Sequence, residues 1–118
     1  MTTAKADCLF CRIVSGEIPS TQVHSDDLVV AIRDIDPKAP VHILLLSRAH
    51  IGSAAELGDA DALLLGRLYK VAAGLARSEG IADDGYRMTT NIGRDGGQTV
   101  AHLHVHLMGG RPFTWPPG

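Results

Sequence analysis

The strongest hydrophobic pattern in the chain is an alternation of histidine and aliphatic residues in the segment 101–108. Alternate side chains of a strand point to opposite faces, so an extended segment places His102, His104 and His106 on one face and the aliphatic residues on the other. Successive imidazoles are then about 6.6 Å apart, whereas residues two apart on a helix do not face each other. The pattern therefore predicts a strand that carries three histidines on one face.

Apolar residues at helical spacing predict two helices elsewhere in the chain. The first is short and runs from Leu9 to Val14, with Gly16 as its stop signal. The second is long and covers residues 59–79, after a capping-box sequence at 53–56. Its apolar face is predicted to contain Leu63, Leu64, Leu68, Val71, Ala72 and Leu75.

Short runs rich in β-branched and aliphatic residues, bounded by turn residues, predict the strands. These runs cover residues 21–25, 28–35, 41–47, 86–92 and 101–108. The order of helix, strands, long helix and strands lacks the regular alternation of a Rossmann fold and is typical of an α+β protein. A chain of 118 residues has room for one domain, 1–118, for which we expect a frayed start at 1–7 and a C-terminal tail at 109–118.

Charge and apolar patterning argue against several classes of partner. The formal net charge is −2 and the 11 basic residues are dispersed, which argues against a nucleic-acid binder that neutralises phosphates. The N-terminus lacks the apolar run of a signal peptide and no stretch approaches about 18 consecutive apolar residues, so we expect a cytoplasmic protein without membrane contact. Cys8 and Cys11 would then be reduced, and such a CxxC pair is a metal half-site or a redox motif.

A glycine-rich segment, Asn91 to Thr99, leads into the histidine row. Glycine lets backbone N–H groups approach a phosphate and adopt the positive φ values of an anion-binding nest. A plain hairpin loop followed by a strand with incidental histidines is one alternative, and a metal site built from the imidazoles is another. The polar pair Gln98 and Thr99 between the glycines and the histidines favours anion chemistry.

The segment 96–110, GGQTVAHLHVHLMGG, resembles the signature of the histidine triad superfamily, in which three histidines alternate with hydrophobic residues. Further similarity to the histidine triad nucleotide-binding branch lies at Asp34-Ile35, at Ala39-Pro40-Val41-His42, at Asn91 and in the ending 109–118. The resemblance covers about Leu9 to Gly118. It implies a five-stranded antiparallel sheet with one long and one short helix, and a ten-stranded sheet across a homodimer.

The resemblance also implies a nucleotide-binding hydrolase, a purine nucleoside 5′-phosphoramidase that works through a covalent nucleotidyl-histidine. His104 would be the nucleophile, and the other catalytic histidines would be His102, His106 and His42. The alternatives are a diadenosine polyphosphate hydrolase, or a nucleotide- or zinc-binding interaction module with vestigial activity. The phosphate-binding residues would be Asn91, Gly97, Gln98 and Thr99.

The same resemblance assigns the nucleoside contacts. Asp34 would bind the ribose hydroxyls, and the tail residue Trp115 would reach the neighbouring subunit's site. Ile32 stands where an aromatic residue is usual and Ala101 where tyrosine or phenylalanine is common, which leaves the base preference less defined than the phosphate chemistry. The apolar slot for the base would contain Leu9, Phe10, Ile13, Ile32 and Ile35.

Cys8 and Cys11 supply two of the four ligands that a structural zinc needs. In the zinc-carrying branches of the superfamily the other two positions correspond to His50 and His102 here. The alternative is a reduced cysteine pair that packs the first helix. We expect no organic cofactor.

Overall fold

The computed structural model describes residues 5–118. The predicted frayed start falls partly on residues 1–4, which lie outside the described residues, and residues 6–7 form a turn before the first helix. The helices are α1 (Leu9–Val14) and α2 (Ala62–Ser78), with short 3-10 segments at Ala54–Glu56 and Asp59–Asp61. The strands are β1 (Gln22–Ser25), β2 (Val29–Arg33), β3 (Val41–Ser47), β4 (Tyr86–Thr89) and β5 (His104–Gly109).

The five strands form one antiparallel sheet in the order β1-β2-β3-β5-β4, which confirms the predicted α+β fold. In the register of β3 and β5, Leu46 lies opposite His104 and Leu44 opposite His106. On the other side of β5, Thr89 of β4 is also opposite His106. The two histidines therefore lie between a central strand and the edge strand β4.

The pleat of the sheet separates two cores, one on each face. The larger core joins alternate strand residues such as Leu45 and Leu107 to α2. The smaller core packs Phe10 and Ile13 of α1 on the opposite face. The strand residues in this smaller core are Val30, Ile32, Leu44 and Leu46.

The long helix buries most of its predicted apolar face, namely Leu64, Leu68, Val71, Ala72 and Leu75. The prediction for Leu63 is wrong, because its side chain is 68% exposed. It lies about 100° around the helix from Leu64, and this rotation turns it to solvent. Ala76 is buried on the core side in addition.

The start of the long helix also differs from the prediction. Residues 59–61 form a 3-10 turn, closed by a hydrogen bond from the Gly58 amide to Asp61 Oδ2 at 2.9 Å, and α2 begins at Ala62. Ser53 accepts a hydrogen bond from the Ala55 amide and caps the preceding 3-10 segment. None of the helices in residues 5–118 has the length and apolar composition needed to cross a membrane.

The strand β5 is shorter at its start than predicted. The Leu103 amide donates to Ile51 O at 2.6 Å and the His102 amide to Val100 O at 2.9 Å, so these groups bind loops. β5 therefore begins at His104, and it includes Gly109, which the prediction had placed in the tail.

Two further strands end earlier than predicted. β2 stops at Arg33 because the Asp34 carboxylate accepts from the Asp36 amide at 2.8 Å and turns the chain. β4 stops at Thr89, where the hydroxyl of Thr90 donates to His104 O at 2.8 Å in place of a backbone donor.

Candidate active site

His104 lies on the α1 face of the sheet and is 5% exposed. Its Nδ1 is 2.6 Å from the carbonyl oxygen of His102. A carbonyl only accepts, so Nδ1 must carry a proton, and in the neutral ring Nε2 carries the lone pair. His104 also lines a cleft between α1 and the sheet, which makes it a basic nitrogen at the wall of a binding site.

The protonation of His106 follows from a chain of three hydrogen bonds. The Lys38 amide donates to His42 Nδ1 at 3.0 Å, so the proton of His42 lies on Nε2. This Nε2–H is 2.9 Å from His106 Nδ1 and donates to it. His106 therefore keeps its own proton on Nε2, the nitrogen opposite the one that His42 occupies.

Both of these imidazoles are neutral near pH 7. Burial, with smaller effects of His104 and His42, lowers the pKa of His106 to about 4. Burial also lowers the pKa of His42, although Asp34 nearby opposes the shift. The rings of His104 and His106 are 5.2 Å apart, so an acceptor nitrogen and an N–H donor stand side by side.

The cleft beside His104 has a volume of about 310 Å³ and includes all six predicted nucleoside contacts. Ile32 is 4% exposed and belongs to the apolar wall beneath α1, whereas Ile35 is fully exposed. Polar groups reach the same cleft from Asp34, Thr99, His104 and His106. The remaining predicted contacts in this cleft are Leu9, Phe10 and Ile13. The prediction missed six further lining residues, Ile18, Pro19, Ser20, Arg33, Leu44 and Val100.

The predicted phosphate-binding residues separate into three locations. Thr99 lines the cleft, while Asn91 lines a neighbouring pocket that shares His106. The side chain of Gln98 joins its own loop to the loop after β3: Oε1 accepts from the Gly93 amide at 3.0 Å, and Nε2 donates to the carbonyl oxygens of Val100 and Gly52.

Glycine is required at two points of this loop for different reasons. Gly97 has a φ of 79°, which side-chain-bearing residues rarely adopt. A Cβ on Gly96 would overlap the carbonyl oxygen of Ile92. The loop is compact, because the Gly97 amide donates to Arg94 O and the Gln98 amide to Gly93 O, each at 3.1 Å. The predicted phosphate-binding amide of Gly97 is therefore bound within the loop.

Cys8, Cys11, His50 and His102 place four ligand atoms within 4.8 Å of one another, as the sequence led us to expect. His102 Nδ1 is 3.3 Å from the sulfur of Cys8 and 3.5 Å from that of Cys11, and His50 Nδ1 is 3.2 Å from the latter. Tetrahedral zinc with its usual bond lengths places sulfur and nitrogen ligands about 3.5 Å apart. The separations fit that geometry.

The protonation of His102 also fits a metal. Its Nε2 is 2.7 Å from the carbonyl oxygen of Ser47 and donates to it, so the Nδ1 lone pair faces the two sulfurs. Burial raises the pKa of the Cys11 thiol, so its thiolate needs a cation beside it. His102 is fully buried, and both of its ring nitrogens are directed at this cluster and at Ser47 rather than at the cleft.

A second group of possible metal ligands, Asp34, His42 and His106, does not have the protonation that a metal requires. His42 Nδ1 already accepts the Lys38 amide proton, so its Nε2 holds a proton instead of a free lone pair. This group is a hydrogen-bonded relay, with Asp34 Oδ2 3.4 Å from His42 Nε2.

Several contacts at the site were not predicted. The Ser47 carbonyl and the Lys38 amide are backbone groups, and no residue type in the sequence marks them. Phe10 packs edge-on against both His104 and His102, at ring distances of 4.9 and 5.9 Å. Trp115 is 83% exposed and lies outside the cleft of its own chain.

Comparison with known proteins agrees with this geometry. The family model described as HIT domain matches residues 15–113. Purine nucleoside phosphoramidase of Escherichia coli (strain K12) is 48% identical over 107 residues, 91% of this chain and 90% of that protein. The 14 kDa zinc-binding protein of Brassica juncea is 48% identical over 116 residues, 95% of this chain and all of that protein. The crystal structure of a HIT family hydrolase from Legionella pneumophila Philadelphia 1 superimposes with a TM-score of 0.93 at 46% identity, covering 95% of this chain and 100% of that one. The chain belongs to the HIT domain family.

Proposed function

We propose that the protein is a purine nucleoside 5′-phosphoramidase that acts through a covalent nucleotide adduct on His104. The observation that carries the proposal is the opposite polarity of two neighbouring imidazoles, a lone pair on His104 Nε2 and a proton on His106 Nε2. Hydrolysis of a phosphorus–nitrogen bond needs a nucleophile and a proton donor on the two sides of one phosphorus.

In the first step, His104 Nε2 forms a bond to phosphorus and the phosphorus–nitrogen bond breaks. The departing nitrogen keeps the bonding electrons and leaves as an amine with the proton that the substrate nitrogen carries, and the Nε2–H of His106 donates a hydrogen bond to the electron pair that develops on it. His106 therefore stays neutral beside the imidazolium that forms on His104. In the second step, the oxygen of water bonds to phosphorus, its proton passes to solvent, and His104 leaves as a neutral imidazole.

The cleft supports a nucleoside as the bound part of the substrate. Its wall beneath α1 is apolar and suits a flat base, and Asp34 supplies a carboxylate for the ribose hydroxyls. Thr99 lines the same cleft, and its hydroxyl is our candidate for a contact with the phosphate. The name of the Escherichia coli relative, a purine nucleoside phosphoramidase at 48% identity, agrees with this substrate class.

Hydrolysis of adenosine 5′-phosphoramidate tests the proposal. We expect turnover by the wild type, an adenylyl adduct on His104 in rapid-quench mass spectrometry, and loss of turnover by orders of magnitude in His104→Ala with nucleotide binding retained. His24→Ala is the matched control, because His24 lies on β1 and pairs with Asp26 outside the cleft. A wild type that binds AMP without turnover would favour a binding module instead.

We also propose that Cys8, Cys11, His50 and His102 hold a structural zinc. The donor set, the sulfur–nitrogen separations and the protonation of His102 support it. A relative named as a zinc-binding protein is 48% identical over 95% of this chain. Such a zinc has four protein ligands and no open position, so its contribution is to join α1 to the loops that carry the two histidines.

We further propose a homodimer formed through β4. This strand is at the edge of the sheet, and unpaired edges tend to pair with another chain. Exposed apolar side chains lie on β4 and on α2: Tyr86 is 36% exposed, Leu65 44% and Tyr69 59%. Sedimentation should report about twice 12.5 kDa, and a charged substitution at Tyr69 should shift the species toward the monomer.

A further inference from the structure

A second pocket, of about 350 Å³, lies on the far side of His106 from the nucleoside cleft. The cleft covers β2, β3 and the start of β5, whereas this pocket covers the neighbouring parts of β3, β5 and the edge strand β4. Because His106 lines both spaces, a phosphate held beside it has the nucleoside on one side. The group bonded to the other side of phosphorus then enters the second pocket.

The second pocket is positively charged. Arg87 extends from β4 and Arg111 follows β5, and both line it. Their guanidinium groups lie 5.2 and 4.3 Å from the ring centre of Phe113 and are held by backbone carbonyls: Arg87 Nη2 donates to Thr114 O at 2.9 Å and Arg111 Nε to Lys38 O at 3.0 Å. Two cations are therefore held close to one aromatic ring.

Neither arginine is neutralised by an acidic group within residues 5–118. The ion pairs of that region involve other cations, and the third basic residue of the pocket, Lys38, is paired with Asp36. A guanidinium has five N–H donors. Hydrogen bonds to backbone carbonyls use one donor of Arg87 and two of Arg111, whose second acceptor is Pro112 O. Donors remain for a planar anion, which arginine binds in a bidentate manner.

We infer that this pocket is a subsite for the leaving group and that it selects leaving groups with a negative charge, such as an amine that carries a carboxylate. The inference rests on the function proposed above. It concerns the part of the substrate that is lost, about which the cleft and the histidines carry no information.

A pair of substrates that differ only in charge tests the inference. Adenosine 5′-phosphoramidates of glycine and of glycinamide present a carboxylate and a neutral amide at the same distance from phosphorus. Their kcat/KM ratio is measured for the wild type, for the double variant Arg87→Gln with Arg111→Gln, and for the control Arg77→Gln on the opposite face of the sheet. The intrinsic reactivity of the two amines cancels when ratios are compared between proteins.

We expect the carboxylate-to-amide ratio to fall about tenfold in the double variant, the effect of losing two partly exposed charge pairs. Arg111→Glu should lower the ratio further, because it places a negative charge beside the carboxylate. The ratio in Arg77→Gln should equal that of the wild type. An unchanged ratio in the double variant, with its melting temperature unchanged, would overturn the inference.

Calorimetric binding of the same two compounds to His104→Ala separates this inference from the proposed function. The affinity ratio does not depend on turnover, so it should show the same loss when Arg87→Gln and Arg111→Gln are added. If the wild type hydrolyses neither compound, the proposed function fails while the affinity ratio still decides the subsite. Equal affinity for both compounds, with and without the two arginines, would contradict the proposed subsite.

Discussion

Two substitutions of His42 separate the hydrogen bonds that this side chain makes. In asparagine, Oδ1 lies near the position of His42 Nδ1 and can accept from the Lys38 amide, but no donor reaches His106. In glutamine, the terminal amide lies near the position of Nε2 and can donate to His106 Nδ1, but the Lys38 amide loses its acceptor. Each variant therefore keeps one of the two bonds, at 3.0 and 2.9 Å, and loses the other.

The expected magnitudes follow from burial. His42 is 6% exposed, so a partner left without a hydrogen bond stays largely desolvated, at a cost of about 1–3 kcal/mol in the free energy of unfolding. Both variants should lose stability of that order. Activity should separate them: His42→Asn leaves His106 free to adopt the other protonation pattern and should lose activity on the order of 10²-fold, the contribution of a positioned proton donor. His42→Gln should stay about tenfold more active than His42→Asn.

Urea unfolding followed by fluorescence gives the stability, and turnover of adenosine 5′-phosphoramidate gives the activity. The pH dependence of kcat distinguishes a role in the reaction from a purely structural role. The apparent pKa that limits kcat should shift more in His42→Asn than in His42→Gln, whereas loss of stability alone would not move it. If asparagine preserves activity and glutamine does not, the relay from Lys38 through His42 to His106 has been assigned in the wrong direction.

Three further predictions concern the metal cluster, the titration of His106 and the tail. Cys8→Ser combined with Cys11→Ser should lose about one zinc per chain by elemental analysis together with several degrees of melting temperature; metal-free wild type of unchanged melting temperature would contradict the site. The pKa of His106 lies at about 4 in the folded state, against 6.5 for an unperturbed histidine, so the unfolded state binds the extra proton and stability falls as pH drops through that interval. Between pH 7 and pH 5 this should cost about 2 kcal/mol, and in His106→Gln the difference in urea unfolding between the two pH values should shrink. Deletion of residues 113–118 should alter the preference among leaving groups more than the stability, because most of those side chains are exposed. An unchanged preference after the deletion would show that the tail does not contact the leaving group.

Alternation of side chains was sufficient to predict much of the sheet and the site. The period of two in 101–108 correctly separated His104 and His106 from Leu103, Val105 and Leu107, which are buried against α2. The four residues that the resemblance proposed as zinc ligands lie together in the cysteine–histidine cluster, and the six proposed nucleoside contacts line the cleft. Their roles stay predictions.

The start of β5 and the position of the Gln98 side chain could not be predicted, because both depend on hydrogen bonds to backbone groups. The strand was expected to begin at residue 101, but carbonyls of the loops at Ile51 and Val100 capture the amides of residues 102 and 103. Gln98 was expected at the phosphate, yet its side-chain amide donates to the carbonyl oxygens of Gly52 and Val100. Each of these contacts joins a polar group to a carbonyl, and every residue type offers a carbonyl, so no sequence pattern marks the partner.

The cysteine–histidine cluster and the cleft beside His104 share one wall, the helix α1. A helix of six residues is far too short to be stable by itself, since isolated helices need about 12–15 residues. Its position is therefore set by what its side chains touch: Cys8 and Cys11 contact the histidines of the cluster, and Phe10 between them packs on His104. The face of α1 that carries Leu9 and Ile13 lines the cleft. Contacts that fix the two cysteines thus also fix the aromatic ring beside His104, so the cysteine–histidine cluster positions one wall of the cleft. Loss of the proposed zinc is therefore expected to disturb the cleft as well as the cluster.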